Sequence, residues 1–404
     1  MKKTLFILLL TNLTFSQTKL VDTIKVKQDF EKLITNLEKN YVYYNTKDLD
    51  LNCIKSYYSK KISTIKNETD ALLFFEYILN EFYDNHLHLN TNSKSSYRLY
   101  SPLFAETIGN KIIISSTWKD QIESGLNVNV TNSELLTFNG IKIAEMNEIF
   151  PTNCQNKNNI EVKTWILNKI LAGKYNEPRI ITIKTITGKT ETIDIDKIKI
   201  RKDIDLVSFI IKDSIGIIRI NNSLGNKKTK TEFKNALTKL KNTKGIILDL
   251  RNTISGGNSN IGNPIAGHFT DKKVIFQKYK NLKQEFVDYI KPNNPHYTKP
   301  LVVLVGRFTA SMGEGLASGL DGTEIGKVIG TEMQKLAGAT KNYNFSNFDY
   351  GYQASKIDVL NILNIPRENF IPKFKVVCDD NIEDEFIKEG TRLINEKKNS
   401  QQKH

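Results

Sequence analysis

A serine set among small residues follows a buried-looking apolar run. Leu301 to Val305 leads through Gly306-Arg307-Phe308 into Thr309-Ala310-Ser311-Met312-Gly313-Glu314-Gly315. A strand that passes into small residues and then into the helix-like stretch Gly315 to Leu320 puts Ser311 at a helix N-terminus. Backbone amides and the macrodipole stabilise negative charge there. Small neighbours let a substrate carbonyl approach a nucleophile in such a turn. Serine also caps helices at this position, and the stretch alone does not separate the two roles.

A second loop follows another apolar strand, in Leu248-Asp249-Leu250-Arg251 and then Ser255-Gly256-Gly257-Asn258. Paired glycines after a strand can turn their N–H groups toward an oxyanion, or serve as a plain turn. A serine nucleophile also needs a base, and imidazole is neutral near pH 7. The chain has five histidines. His404 is terminal, His296 lies among prolines and asparagines, and His268 ends a helix-like stretch. His86, in Asp84-Asn85-His86-Leu87-His88-Leu89-Asn90, is the candidate base. His86 and His88 on one strand face would also suit a two-histidine metal site, but no third ligand matches in the sequence.

The elements that must position these residues follow from hydrophobic period. Residues 20–95 read as helical: Phe30, Leu33, Ile34, Leu37 and Tyr41 share one stripe, and Leu72, Phe75, Leu79 and Phe82 another. The pattern then alternates, which places His86 near a helix-to-strand junction. Residues 100–200 hold short strand-like runs (111–116, 133–138 before Asn139-Gly140, 179–186 before Thr187-Gly188) around a helix at 162–171, as in a small β-rich domain. From residue 205, strands at 215–220, 245–250, 301–305 and 328–329 alternate with helices, one carrying Phe233, Ala236, Leu237 and Leu240. That order predicts a mostly parallel sheet covered on both faces. Ligands gather at the carboxyl ends of such strands, where both candidate loops lie.

The chain of 404 residues exceeds one ordinary core, and 39% hydrophobic with 9% aromatic residues is globular composition. The net charge of +14 comes from scattered lysines rather than Arg/Lys clusters with interleaved aromatics, which argues against a nucleic-acid partner. Lys2 and Lys3, the apolar stretch to Phe15, and Thr14 and Ser16 before Gln17 form a secretory signal peptide over residues 1–16, too short for a membrane span. A soluble location outside the cytoplasm is expected, periplasmic or extracellular. Three widely spaced cysteines, Cys53, Cys154 and Cys378, fit no zinc motif and allow one internal disulfide.

Taken in order, these features resemble the tail-specific, or C-terminal processing, serine peptidase family. The likeness is closer to its histidine-based branch with the tricorn core protease and the retinoid-binding repeats. Asp84-Asn85-His86, Leu248-Asp249-Leu250-Arg251 with Gly256-Gly257, Thr309-Ala310-Ser311-Met312-Gly313-Glu314 and Val328-Ile329-Gly330-Thr331 carry it, and Pro366-Arg367-Glu368-Asn369-Phe370-Ile371-Pro372 resembles the tail of secreted members. Ser133 to Gly140 looks like a strand and turn of a PDZ-like domain.

The resemblance implies a multidomain α/β protein with a ClpP/crotonase-like core: a helical segment over 17–98, a PDZ-like β-rich domain over 99–200, a catalytic α/β core over 201–392 and a polar tail over 393–404. It implies Ser311 as nucleophile, His86 as general base, and Glu314 as a polar partner one turn on. Gly257 or Gly256, with the Met312 amide, would form the oxyanion hole, and Glu332 is a candidate for orienting the base. Lys335 lacks the Gly-Lys-Gly context of the family's Ser–Lys branch. The implied activity is hydrolysis of peptides or unfolded proteins without cofactor or metal, the oligomeric state being undetermined. Two alternatives stand beside it: a non-catalytic member that binds a peptide or apolar ligand in the same cleft, and an esterase.

Overall fold

A computed structural model describes residues 20–376 and 384–401, with side chains to residue 396; the expected leader, residues 1–16, lies outside them. Three helices come first: α1 (Thr23–Asn40), α2 (Leu51–Lys61) and α3 (Glu68–Asn80). Each starts where a side chain takes an orphan amide: Asp22 from Ile24, Asp50 from Cys53, Asn67 from Asp70. Their buried stripes, Phe30, Leu33 and Leu37 among them, meet Phe75, whose ring lies tilted against that of Phe345, far along the chain, with centroids 4.3 Å apart.

The expected strand-like run after α3 is mostly a turn. Asp84 accepts from the His86 amide at 2.8 Å and from Tyr41 Oη at 2.8 Å, and the local side chain–backbone bond closes a turn in place of a ladder. Only β1 (His88–Leu89) is strand, so His86 sits at the junction and not on the strand face with His88.

The β-rich middle holds β2 (Leu103–Ile108), β3 (Lys111–Thr117), β4 (Ile122–Ser124), β5 (Glu134–Phe138) and β6 (Ile141–Lys142). It continues with α4 (Ile143–Ile149), α5 (Ile160–Ala172), β7 (Ile180–Lys184), β8 (Thr190–Asp194) and β9 (Lys199–Ile200). One sheet runs β2-β3-β5-β7-β8, and α5 buries Val162, Ile166 and Ile170 against it. Asn139 and Gly140, both at positive φ, make the two-residue turn between β5 and β6.

A disulfide joins Cys53 of α2 to Cys154 before α5, a sequence separation of 101. Closing a loop of that length restricts the unfolded chain by roughly 4–5 kcal/mol. Reduction is therefore expected to lower the melting midpoint, read by calorimetry of the oxidised protein and of protein held in dithiothreitol. Equal midpoints would show that the bridge contributes nothing.

The rest forms two sheets. Its elements are β10 (Val207–Lys212), β11 (Ile215–Ile220), α6 (Thr229–Lys239), β12 (Ile246–Asp249), α7 (Ser259–Ala266), β13 (Val274–Lys280), β14 (Glu285–Ile290) and β15 (Leu301–Val305). After them come α8 (Met312–Gly322), β16 (Lys327–Gly330), β17 (Ala339–Asn344), β18 (Gly351–Leu360), β19 (Phe374–Lys375) and α9 (Glu385–Gln401). The first sheet runs β10-β11-β12-β15-β16-β19, parallel except for the β10–β11 pair. All five residues of β15 are buried, as a strand covered on both faces requires. Helices α6, α7 and α8 cover one face, α9 the other.

Leu393 and Ile394 of α9 are buried under the sheet. The expected polar tail from residue 393 is therefore corrected: the last helix is amphipathic and part of the core. The second sheet, β14-β13-β18-β1 with β17 also on β18, is antiparallel and was not expected. It seats α8: Phe276 of β13 fills the space beside Gly319, where an added Cβ would come 2.5 Å from its ring, and Gln277 Nε2 donates to the Gly315 carbonyl. Among the described residues no helix is long and apolar enough to cross a membrane.

Candidate active site

Ser311 stands where β15 ends and α8 begins, with φ 50° and ψ −109°. A side chain in that region is strained, and such strain persists only where the surroundings impose it. The loops after β12 and β15 are fastened together. Thr309 Oγ1 donates to the Leu250 carbonyl at 3.0 Å and takes the Gly306 amide, while Thr253 pairs with Thr309 in a short parallel bridge. This brings Gly256 against the serine. It has φ +61°, and a Cβ there would lie 2.5 Å from Ser311 Cβ and 3.1 Å from Oγ. Glycine is required twice over, for its dihedral and for its lack of a side chain.

Of the two glycines expected to donate to an oxyanion, Gly256 is spent, because its amide already donates to the Thr253 carbonyl at 2.8 Å. Gly257 is packed on Leu224, and its amide has no acceptor among the described residues. Met312 opens α8, its side chain lying against Gly262.

Glu314 lies one turn into α8 and is fully buried. Its carboxyl accepts the Ser311 amide at 2.6 Å, the Lys335 amide at 2.8 Å and the Leu336 amide at 3.1 Å. Burial pushes it up to about 8, against the pull of Arg367 and of these donors. One carboxyl thus fixes the backbone of the serine and of a segment more than 20 residues later.

That segment, 335–338, reaches the histidine. His86 is buried, and its Nδ1 lies 3.0 Å from the Ala337 carbonyl. A ring nitrogen facing a carbonyl must carry the proton, so Nε2 is left with its lone pair, the tautomer a general base needs. The Ala337 carbonyl also accepts from Ser355 Oγ, and Gln353 Nε2 donates to the His86 carbonyl. Burial, then the neighbouring Arg367 charge, pushes the imidazole down to about 4. Arg367 donates from Nε to the Leu336 carbonyl at 2.9 Å and from Nη2 to Gly338. Ser311 and His86 are thus brought to the two sides of one clamped segment; among the described residues no hydrogen bond joins them directly.

Glu332 does not orient the base. Its carboxylate pairs with Arg307 at 3.1 Å and with Lys335 at 3.0 Å, and the Ala337 carbonyl takes the place expected of it. Lys335 is half exposed and held in that pair, in contrast to a buried lysine base. His88 turns its Nδ1 to the Leu89 carbonyl, and no metal-binding cluster occurs among the described residues.

Sequence reasoning missed Arg367 and its surroundings, although the stretch holding it was noticed. Beside it, the largely buried Glu368 shares a hydrogen bond with Tyr43, whose hydroxyl also donates to Asp358 at 3.0 Å. Burial raises both carboxyls.

A strand-to-helix serine backed by a glycine loop, on a covered parallel sheet, is an arrangement that the nucleophile turns of serine-type hydrolases share. Residues 214–360 match the model of peptidase family S41, and residues 24–84 match that of the tricorn protease C1 domain. These two segments are what the chain shares with the S41 peptidases and with the tricorn protease. Similar solved structures include a photosystem II D1 C-terminal processing protease at 14% identity, with a TM-score of 0.59, covering 91% of this chain and 97% of that one. Mature CPAF matches at 13% identity, with a TM-score of 0.63, covering 92% and 96%. A putative peptidase from Parabacteroides merdae matches at 14%, with a TM-score of 0.53, covering 91% and 96%. At such identities these structures establish the shared fold. No curated protein sequence matches.

Proposed function

We propose that the chain is an exported serine peptidase that cleaves peptides or unfolded proteins through a Ser311 acyl-enzyme. The observation that carries this is the strained Ser311, packed against Gly256 and fixed through its amide by Glu314. In the proposed reaction His86 Nε2 takes the Ser311 proton as Oγ bonds to the scissile carbonyl carbon. The amides of Gly257 and Met312 receive the oxyanion. The imidazolium, with Nδ1–H held on Ala337, then gives its proton to the leaving amine, and water releases the acyl group by the reverse sequence. The Cys53–Cys154 bridge supports a location outside the cytoplasm, since disulfides persist in oxidising compartments.

A fluorophosphonate probe and an unfolded-protein substrate test the reading together. Wild type is expected to be labelled and to turn over casein, and Ser311→Ala to do neither. Equal labelling of both would identify another nucleophile. Tight binding of unfolded protein by an unlabelled wild type would assign the non-catalytic alternative, and turnover of esters alone would assign the esterase.

A further inference from the structure

We propose a second, distal peptide-binding site on this molecule, in the groove between α1 and the far end of β17. It rests on the peptidase reading of the Ser311 site and supplies a grip on the substrate away from the scissile bond.

Strand β17 pairs with β18 on one side, and among the described residues its other edge carries no strand. Its residues Thr340, Lys341 and Asn342 are exposed. An open edge offers unpaired backbone groups to an extended peptide. The strand begins directly after the 335–338 segment that Glu314, Arg367 and His86 hold, so an added peptide strand would lead away from the nucleophile.

Five residues on, roughly 17 Å at strand rise, it ends in a groove of about 500 Å³. The floor is aromatic: Tyr343 stacks on Tyr352 at 5.5 Å, and Phe345 meets Tyr352 at 5.4 Å. Tyr352 Oη is held by Asn36 Nδ2, and Tyr343 Oη is buried. Glu31, Lys32, Thr35, Asn36 and Lys39 of α1 line the wall; Glu31 pairs with Lys27 at 3.9 Å, and Lys39 makes no ion pair among the described residues. An aromatic floor and the ammonium of Lys39 at the rim suit one occupant: an extended polypeptide with an aromatic or large apolar side chain next to a carboxylate. The run of open edge between groove and nucleophile makes that occupant the substrate chain rather than a separate partner.

The test uses full-length Ser311→Ala protein and fluorescein-labelled peptides, read by anisotropy. A twelve-residue peptide with a Phe-Asp pair at one end, made in both chain directions, is compared with its six-residue half lacking the pair. The better-oriented long peptide is expected to bind about tenfold tighter, the scale of one filled aromatic contact. That advantage should vanish in Thr35→Trp, which fills the groove from an exposed helix position, and shrink in Lys39→Glu. Equal affinity of long and short peptides, or an advantage that survives Thr35→Trp, overturns the distal site. Turnover of the short peptide by wild type reports on Ser311 separately. Its absence with the length advantage intact would remove the peptidase reading and leave the groove standing.

Discussion

His86→Ala is expected to lower kcat/KM on an unfolded-protein substrate by roughly three orders of magnitude, within the range of general acid–base catalysis. The fold should survive, because the ring's one hydrogen bond goes to a carbonyl that Ser355 Oγ also serves. The pH profile separates a base from a structural ring. Burial and the Arg367 charge hold the imidazole down to about 4, so activity should stay on its plateau well below the ordinary histidine range. Its acid limb should fall only toward pH 4.

Stability follows the same group with a definite sign. The unfolded chain protonates His86 below about 6.5 and the folded chain only near 4, so the unfolded state binds more protons between these values. Stability falls as the pH drops through that window, by an amount on the order of 3 kcal/mol at the bottom. In His86→Ala that contribution is gone, and the acid side of the stability curve should flatten. An acid limb near pH 6.5 in the wild type would overturn the assignment of a desolvated base.

Glu314→Ala is expected to damage both stability and catalysis. Removing the carboxyl leaves the amides of Ser311, Lys335 and Leu336 without their acceptor. Each buried donor left unmade costs about 1–3 kcal/mol, so a loss of several kcal/mol in urea unfolding is anticipated. Glu314→Gln keeps one carbonyl acceptor but turns an NH2 toward N–H donors, and should fall between wild type and alanine. Because the carboxyl fixes backbone on both sides of the site, fluorophosphonate labelling of Ser311 should slow in both variants even where the protein is folded. Unchanged labelling in folded Glu314→Gln would confine Glu314 to a structural role.

How far the sequence carried depends on the kind of signal each element sends. Ser311, Glu314 and the glycine pair were legible because strand, small residues and helix follow one another within a short stretch, and local order fixes local geometry. The parallel sheet was legible because β11, β12 and β15 are almost wholly buried and read as apolar runs, broken only by Arg219 in β11 and by Asp249 at the end of β12.

The second sheet was not legible. In β13 and β14 most side chains are exposed or half-buried, and only Phe276, Gln277 and Ile290 are buried, so no clean period remains. Glu332 was misjudged because spacing places a carboxylate near the site but cannot show that Arg307 and Lys335 claim it. Gly256 and Gly257 could not be told apart, since the difference lies in which amide the turn at Thr253 uses. Arg367 was noticed without a role because its work is done on carbonyls at sequence separations of 29 and 31.

The partners of His86 have a consequence for biosynthesis. Its ring leans on a carbonyl 251 residues later, and its own carbonyl is held from 267 residues later. During N-to-C synthesis the imidazole lacks its ring partner until Ala337 has emerged, the His86 carbonyl lacks Gln353 until later, and Arg367 comes later still. Contacts of such long separation form late in folding. A nascent or truncated chain therefore carries Ser311 and His86 without the contacts that seat them. On the peptidase reading proposed above, hydrolytic competence would arrive only with completion of the final strands.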